Sequence, residues 1–183
     1  MHKIDSAGWL TSARRLESPN CDERPPREEP SLLIIHGISL PPGHFGGDWI
    51  DDLFCNRLDS AAHPYFAQIA GLRVSAHLLI RRDGALTQYV SFDKRAWHAG
   101  ASAFDGRSCC NDFSIGIELE GCDDQPYAPE QYSALARVTQ ALQRRYPAIG
   151  NERIVGHSDV APQRKTDPGI AFDWCHYRAM LVG

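Results

Sequence analysis

The chain has no excess of positive charge. Nineteen Lys and Arg stand against 23 Asp and Glu, for a formal net charge of -4. The isoelectric point near 6.0 excludes the basic field on which nucleic-acid binding depends. Long hydrophobic runs are missing too: no stretch approaches the ~20 apolar residues of a membrane span, so neither nucleic acid nor membrane is an expected partner. The first residues, Met1-His2-Lys3-Ile4-Asp5-Ser6, contain no apolar core of a secretion signal, and a cytoplasmic location is expected. A regular cysteine framework is missing. Cys21, Cys55, Cys109, Cys110, Cys122 and Cys175 include no CxxC pair, which argues against a thiolate metal site and for reduced thiols. No internal repeat or linker divides the chain. What remains is 183 residues, 43% apolar and 23% charged, enough for one globular domain.

The local pattern mixes strands and helices. An amphipathic stretch over residues 9–16 leads into a proline-rich, charged loop over 18–30. Leu32-Leu33-Ile34-Ile35 is a short buried strand ending on His36. Residues 39–47, rich in proline and glycine, form a loop, and Asp48 caps a helix carrying Trp49, Ile50, Leu53, Phe54 and Leu58. A second short helix follows Pro64. Residues 74–80 and 85–91 are β-prone runs joined by Asp83-Gly84, a hairpin signal. Residues 92–111 have no periodicity and read as a long loop of the kind that often serves function. Phe113 to Glu120 alternates: Phe113, Ile115, Ile117 and Leu119 take one face, Ser114, Gly116, Glu118 and Glu120 the other. From Pro129, the spacing of Tyr132, Leu135, Thr139, Leu142 and Tyr146 gives a helical stripe. A strand over 153–157 ends on His157, a loop runs to Gly169, and a last helix carries Phe172, Trp174 and Leu181. The sum is a single α/β domain over residues 1–183, a central mixed sheet flanked by helices, with residues 1–30 as an extension packed on or beside it.

His36 and His157 share a position, each closing a short apolar strand beside a glycine. Strand ends of an open sheet point into the crevice where ligands bind, so two imidazoles arriving there begin a metal site. A third ligand that leaves one tetrahedral position free would complete it. The loop after His157 offers Asp159 and Asp167, and Asp167 has the longer reach back over the site. Glu118 shares its strand face with small residues that leave space, and a carboxylate there could take a proton from an attacking water. The alternative makes Glu118 and Glu120 the solvated face of an edge strand. Lys165 travels on the same loop as Asp167, where its ammonium could stabilise an oxyanion.

Five segments then carry a resemblance: SLLIIHGISLPPG (31–43), VSAHLLIRRDG (74–84), KRAWHAG (94–100), NDFSIGIELEG (111–121) and GHSDVAPQRKTDPG (156–169). Together they resemble the cytoplasmic 1,6-anhydro-N-acetylmuramyl-L-alanine amidases of the AmpD type, within the wider fold shared with peptidoglycan-recognition proteins. The likeness runs from about residue 9 to residue 181. It implies zinc held by His36, His157 and Asp167, with Glu118 as catalytic carboxylate and Lys165 as transition-state cation. It implies hydrolysis of the amide between anhydro-N-acetylmuramic acid and L-alanine in peptidoglycan recycling, with an indirect effect on β-lactamase induction. One departure stands out: members usually carry asparagine after the first zinc histidine, and this chain has Gly37. Zinc ligation should survive it, while affinity for the muramyl end should be the property affected.

A muropeptide substrate also needs carboxylate partners and a seat for its sugar. Arg73, Arg107 and Arg164 are the candidate guanidinium partners, and Trp97 the candidate stacking face. His77 and His98 line or support the cleft. A monomer is expected. Two other readings compete. A recognition module that binds without cutting would lack one of the zinc-site residues, and all are present here. An iron oxygenase built on His157, Asp159 and His176 leaves His36, Glu118 and Lys165 without a role.

Overall fold

The computed structural model describes residues 2–182. Six strands form the main sheet in the order β1 (Arg14–Arg15), β5 (Leu86–Gln88), β4 (Leu78–Ile80), β9 (Ser114–Glu120), β3 (Leu32–Ile38) and β10 (Ile154–Gly156). Strands β4, β9, β3 and β10 run parallel, whereas β4 and β5 are antiparallel and close the hairpin expected at Asp83-Gly84. In that turn Gly84 takes φ +82°, a value glycine adopts without cost, and Asp83 Oδ1 accepts from the amide of Ala85. The sheet is mixed and helices flank it, as the alternating pattern implies.

One sheet face packs on α3 (Pro129–Arg145). The side chains of Leu33, Ile35, Ile115, Ile117 and Leu119 meet Leu135, Val138 and Leu142 in one buried cluster. Burying an aliphatic side chain of this kind is worth about 1.5–3 kcal/mol. The hinge of this packing is the regular alternation of β9, which hands Ser114, Gly116, Glu118 and Glu120 to the opposite face. There the short helices α1 (Trp49–Phe54) and α2 (Pro64–Gln68) cover Leu79, Tyr89 and Val90, while residues 92–113 close over the middle. Short pairs within that segment, β6 (Arg95–Ala96) with β2 (Cys21–Asp22), and β7 (Ala103–Phe104) with β8 (Arg107–Ser108), give it more order than its lack of periodicity predicted.

Several expectations are corrected. Residues 9–16 form turns and the two-residue β1, not a longer element. Helix α1 stops at Phe54, four residues short of Leu58, because Asn56 adopts φ +57°; Asp48 precedes it but makes no side-chain cap. Of residues 74–80, only Leu78–Ile80 is strand. His36 is the fifth residue of seven in β3, since β9 continues to pair with it through Ile38 opposite Glu120. His157 opens a four-residue helix, α4 (His157–Val160), and the last helix, α5, covers Trp174–Ala179. The idea of an edge-strand face for Glu118 and Glu120 fails: β9 is paired on both sides, and the two residues are 9% and 2% exposed. All six cysteines are free thiols. Among the described residues, no helix is long and apolar enough to cross a membrane.

Candidate active site

The parallel register of β3 and β9 sets His36 directly beside Glu118, so both side chains leave the sheet on the same face. Strand β10 pairs on the other side of β3, and its end at Gly156 delivers His157 to the same place. The α4 turn is fastened by Asp159, whose Oδ2 accepts from the Gly156 amide at 2.7 Å. That contact commits Asp159 to the backbone. Asp167 arrives instead, on the loop that follows α4, with its carbonyl accepting from the amide of Ser158 at 3.0 Å.

Three donor atoms therefore converge. His36 Nδ1 and His157 Nδ1 are 2.9 Å apart, and Asp167 Oδ2 lies 3.1 and 3.0 Å from them. The Ala99 carbonyl facing His157 Nε2 can only accept, so a neutral His157 that keeps its single proton there presents a lone pair at Nδ1 to the other two atoms. A tetrahedral zinc ion with bonds of 2.0–2.1 Å separates its ligands by about 3.3 Å, close to these spacings, and two nitrogens with one oxygen are donors zinc accepts. The far nitrogens are tied down as well. His157 Nε2 sits 3.3 Å from the carbonyl of Ala99, and His36 Nε2 sits 2.9 Å from His98 Nδ1. Among the described residues this is the group of His, Cys, Asp or Glu placed to hold a metal ion. His176 lies elsewhere, with its ring against Tyr132, so the constellation proposed for iron is not assembled.

Electrostatics mark the same point. Burial drives His36 down to about 4, with the hydrogen bond to Asp167 opposing. For Asp167, burial pushes upward, but hydrogen bonds from His157 and His36 outweigh it and hold the carboxyl well below its ordinary range. Burial raises Glu118 well above the usual carboxylate value; the Asp167 charge adds to this and Lys165 works against it. Its Oε2 is buried with no hydrogen-bond partner among the described residues. An orphaned buried carboxylate oxygen is costly, and such groups mark functional positions.

These side chains lie in a cleft of about 800 Å³ that also exposes Lys165, Arg164, Trp97 and an apolar wall of Leu40, Tyr65, Ile69 and Leu72. Arg164 Nη2 donates to the carbonyls of Ala99 and Ala101, and Trp97 Nε1 to Asp22 at 3.1 Å. Two of the expected arginines do not join them. Arg73 is exposed between Leu72 and Val74, which line the cleft although it does not. Arg107 lies on β8 over the ring of Phe113, paired with Glu28 at 2.9 Å, and is also outside the lining. Sequence reasoning missed Tyr127. Its ring lies against Gly37 and Gly121, where a Cβ on either would collide with it, and its hydroxyl donates to the carbonyl of Pro168 at 2.9 Å. The two glycines were the available signal, since both leave room for a side chain from elsewhere.

A mixed sheet that gathers His36, His157 and Asp167 beside an unpartnered buried glutamate on the floor of an open cleft presents the groups of a hydrolase site. Residues 26–170 match the family model described as N-acetylmuramoyl-L-alanine amidase, and the chain belongs to that family. It is 63% identical over 175 residues to the 1,6-anhydro-N-acetylmuramyl-L-alanine amidase AmpD of Citrobacter freundii, covering 96% of this chain and 93% of that one. A crystal structure of a selenomethionine AmpD derivative superposes with a TM-score of 0.94 at 62% identity, covering 96% of this chain and 98% of that chain. The amidase AmiD of Escherichia coli, in complex with the substrate anhydro-N-acetylmuramic acid-L-Ala-D-gamma-Glu-L-Lys, aligns at TM-score 0.60 and 28% identity, covering 97% of this chain and 65% of that one. The protein is thus an amidase, a hydrolase of a linear amide C–N bond.

Proposed function

We propose that the protein hydrolyses the amide joining 1,6-anhydro-N-acetylmuramic acid to L-alanine in muropeptides, as a zinc enzyme and monomer working in cytoplasmic peptidoglycan recycling, with an indirect influence on β-lactamase induction. The observation that carries this reading is the convergence of His36, His157 and Asp167 beside the orphaned Glu118 oxygen. The names of the AmpD relatives and the ligand in the AmiD complex support the substrate class.

His36, His157 and Asp167 would hold the metal, and zinc bound there supplies Lewis acidity toward the scissile carbonyl and lowers the pKa of water. Glu118 takes the proton of the attacking water and returns it to the departing amine of L-alanine. Its upward shift suits a group that must hold that proton between the two transfers. Lys165, on the cleft wall, supplies the ammonium that stabilises the negative charge developing on the carbonyl oxygen. Trp97 offers its ring to the sugar, and Arg164 its remaining donors to a peptide carboxylate. Arg73, exposed and outside the cleft lining, would take part only with a longer stem peptide. Arg107 would have to exchange Glu28 for substrate.

Incubation of the zinc-loaded protein with anhydro-N-acetylmuramyl tripeptide, read by mass spectrometry, tests the reading. Free tripeptide and anhydro-N-acetylmuramic acid are the expected products. Intact substrate beside fully bound zinc would sink the substrate assignment.

A further inference from the structure

His98 is half-buried beside the candidate metal site, on the cleft lining, yet supplies none of the three donor atoms. Its position is nevertheless fixed by a set of specific contacts. Its Nδ1 is 2.9 Å from His36 Nε2 and its Nε2 is 3.1 Å from Ser114 Oγ. The rings of His36 and His98 meet edge-on, with centroids 5.0 Å apart and planes at 90°. The backbone N–H of His98 donates to Asn111 Oδ1, which also accepts from Ala99. The ring rests on Gly116, where any Cβ would collide with it. The small residues of β9 thus make the seat for an imidazole that comes from another part of the chain.

Proton placement in this chain has two forms. An imidazole–imidazole contact at 2.9 Å holds one shared proton when both rings are neutral. If His98 Nδ1 were the donor, neutral His36 would carry its own proton on Nδ1, the atom that faces His157 and Asp167. If His36 Nε2 is the donor, His36 Nδ1 keeps a lone pair for a metal, and His98 Nε2–H goes to Ser114 Oγ.

Resting on the zinc reading above, we infer that His98 is a positioning residue: it accepts the His36 Nε2–H and so fixes the tautomer and ring orientation in which His36 Nδ1 binds zinc. The acceptor is a histidine relayed to a serine, in place of the carboxylate or carbonyl more often found behind a metal-bound imidazole.

The test is zinc affinity, measured by competition with a chromogenic chelator, for the full chain and for His98→Leu and His98→Asn. Leucine removes the acceptor and should weaken zinc binding by about 10–100-fold. Asparagine places an amide oxygen near the position of Nδ1 and should restore affinity close to the parent value. A parent that binds no zinc would remove the zinc reading and this inference together. A parent that binds zinc no better than His98→Leu would overturn the inference alone. Should the leucine variant fail to fold, ¹H–¹⁵N correlation of the imidazoles in the zinc-loaded parent decides. A proton on His36 Nε2 supports the inference, and a proton on His98 Nδ1 overturns it.

Discussion

Glu118 lies across the sheet register from His36, and its burial, its orphaned oxygen and its raised proton affinity assign it a different task from the carboxylate at Asp167. Asp167 is held ionised by two imidazoles; Glu118 has the empty cleft in front of it. Replacing Glu118 with alanine should leave zinc content unchanged and lower kcat by about 10²–10⁴-fold, the usual range for a general base. Unaltered turnover in that variant would take Glu118 out of the reaction. Its candidacy was legible because strict alternation in β9 puts it on the face opposite the core. The same alternation suggested empty space over Ser114 and Gly116, and there the reading went astray, since His98 fills it. A residue delivered by a segment with no periodicity cannot be placed by counting along a strand.

At the level of elements, the four-residue helix α4 separates two aspartates that sequence alone leaves in competition. Asp159 fastens the turn by accepting the Gly156 amide, whereas Asp167 reaches both histidines. Asp159→Ala should cost about 1 kcal/mol of stability, the usual value of such a cap, and retain zinc. Asp167→Ala should lose zinc and activity together. Denaturant melts and metal analysis on both variants check this, and the reverse pattern would exchange the two assignments. Both histidines were expected at strand ends and neither is there, yet the crevice between parallel strands still collects them. The reason is register: His36 has Glu118 as its neighbour on one side, and β10 runs alongside β3 on the other until Gly156 turns the chain. Pairing between β3, β9 and β10 is long-range, and no local pattern encodes which strands become neighbours.

Across the whole molecule, the N-terminal residues are woven into the core. Arg24 drives its guanidinium inward to the carbonyls of Phe92, Asn111, Asp112 and Ser114, and burial lowers it to about 10. Next to it, His77 is pushed down to about 3, first by burial and then by the Arg24 charge, while its ring accepts from the Gly116 amide. In the unfolded chain this imidazole titrates near 6.5, so below that pH the unfolded state binds the extra proton. Stability of the metal-free protein should therefore fall as pH drops from about 6.5 toward 3, with a slope approaching 1.4 kcal/mol per pH unit for each such histidine. Thermal melts across that range check the sign, and a rising Tm on acidification would contradict it. The α/β class, the hairpin, the α3 stripe and five of the six sheet strands were readable from apolar spacing, the exception being the exposed Arg14–Arg15 pair of β1. The insertion of Arg24 was not, because an arginine in a charged, proline-rich segment carries the signature of a solvated loop.

The central claim is that one zinc ion at His36, His157 and Asp167 is what the hydrolysis requires. Its most direct test is a titration of chelator-stripped protein with zinc, following cleavage of anhydro-N-acetylmuramyl tripeptide. Activity should be absent at the start, rise linearly, and break at one equivalent per chain. Full activity in the stripped protein, or a break at any other stoichiometry, would contradict the account.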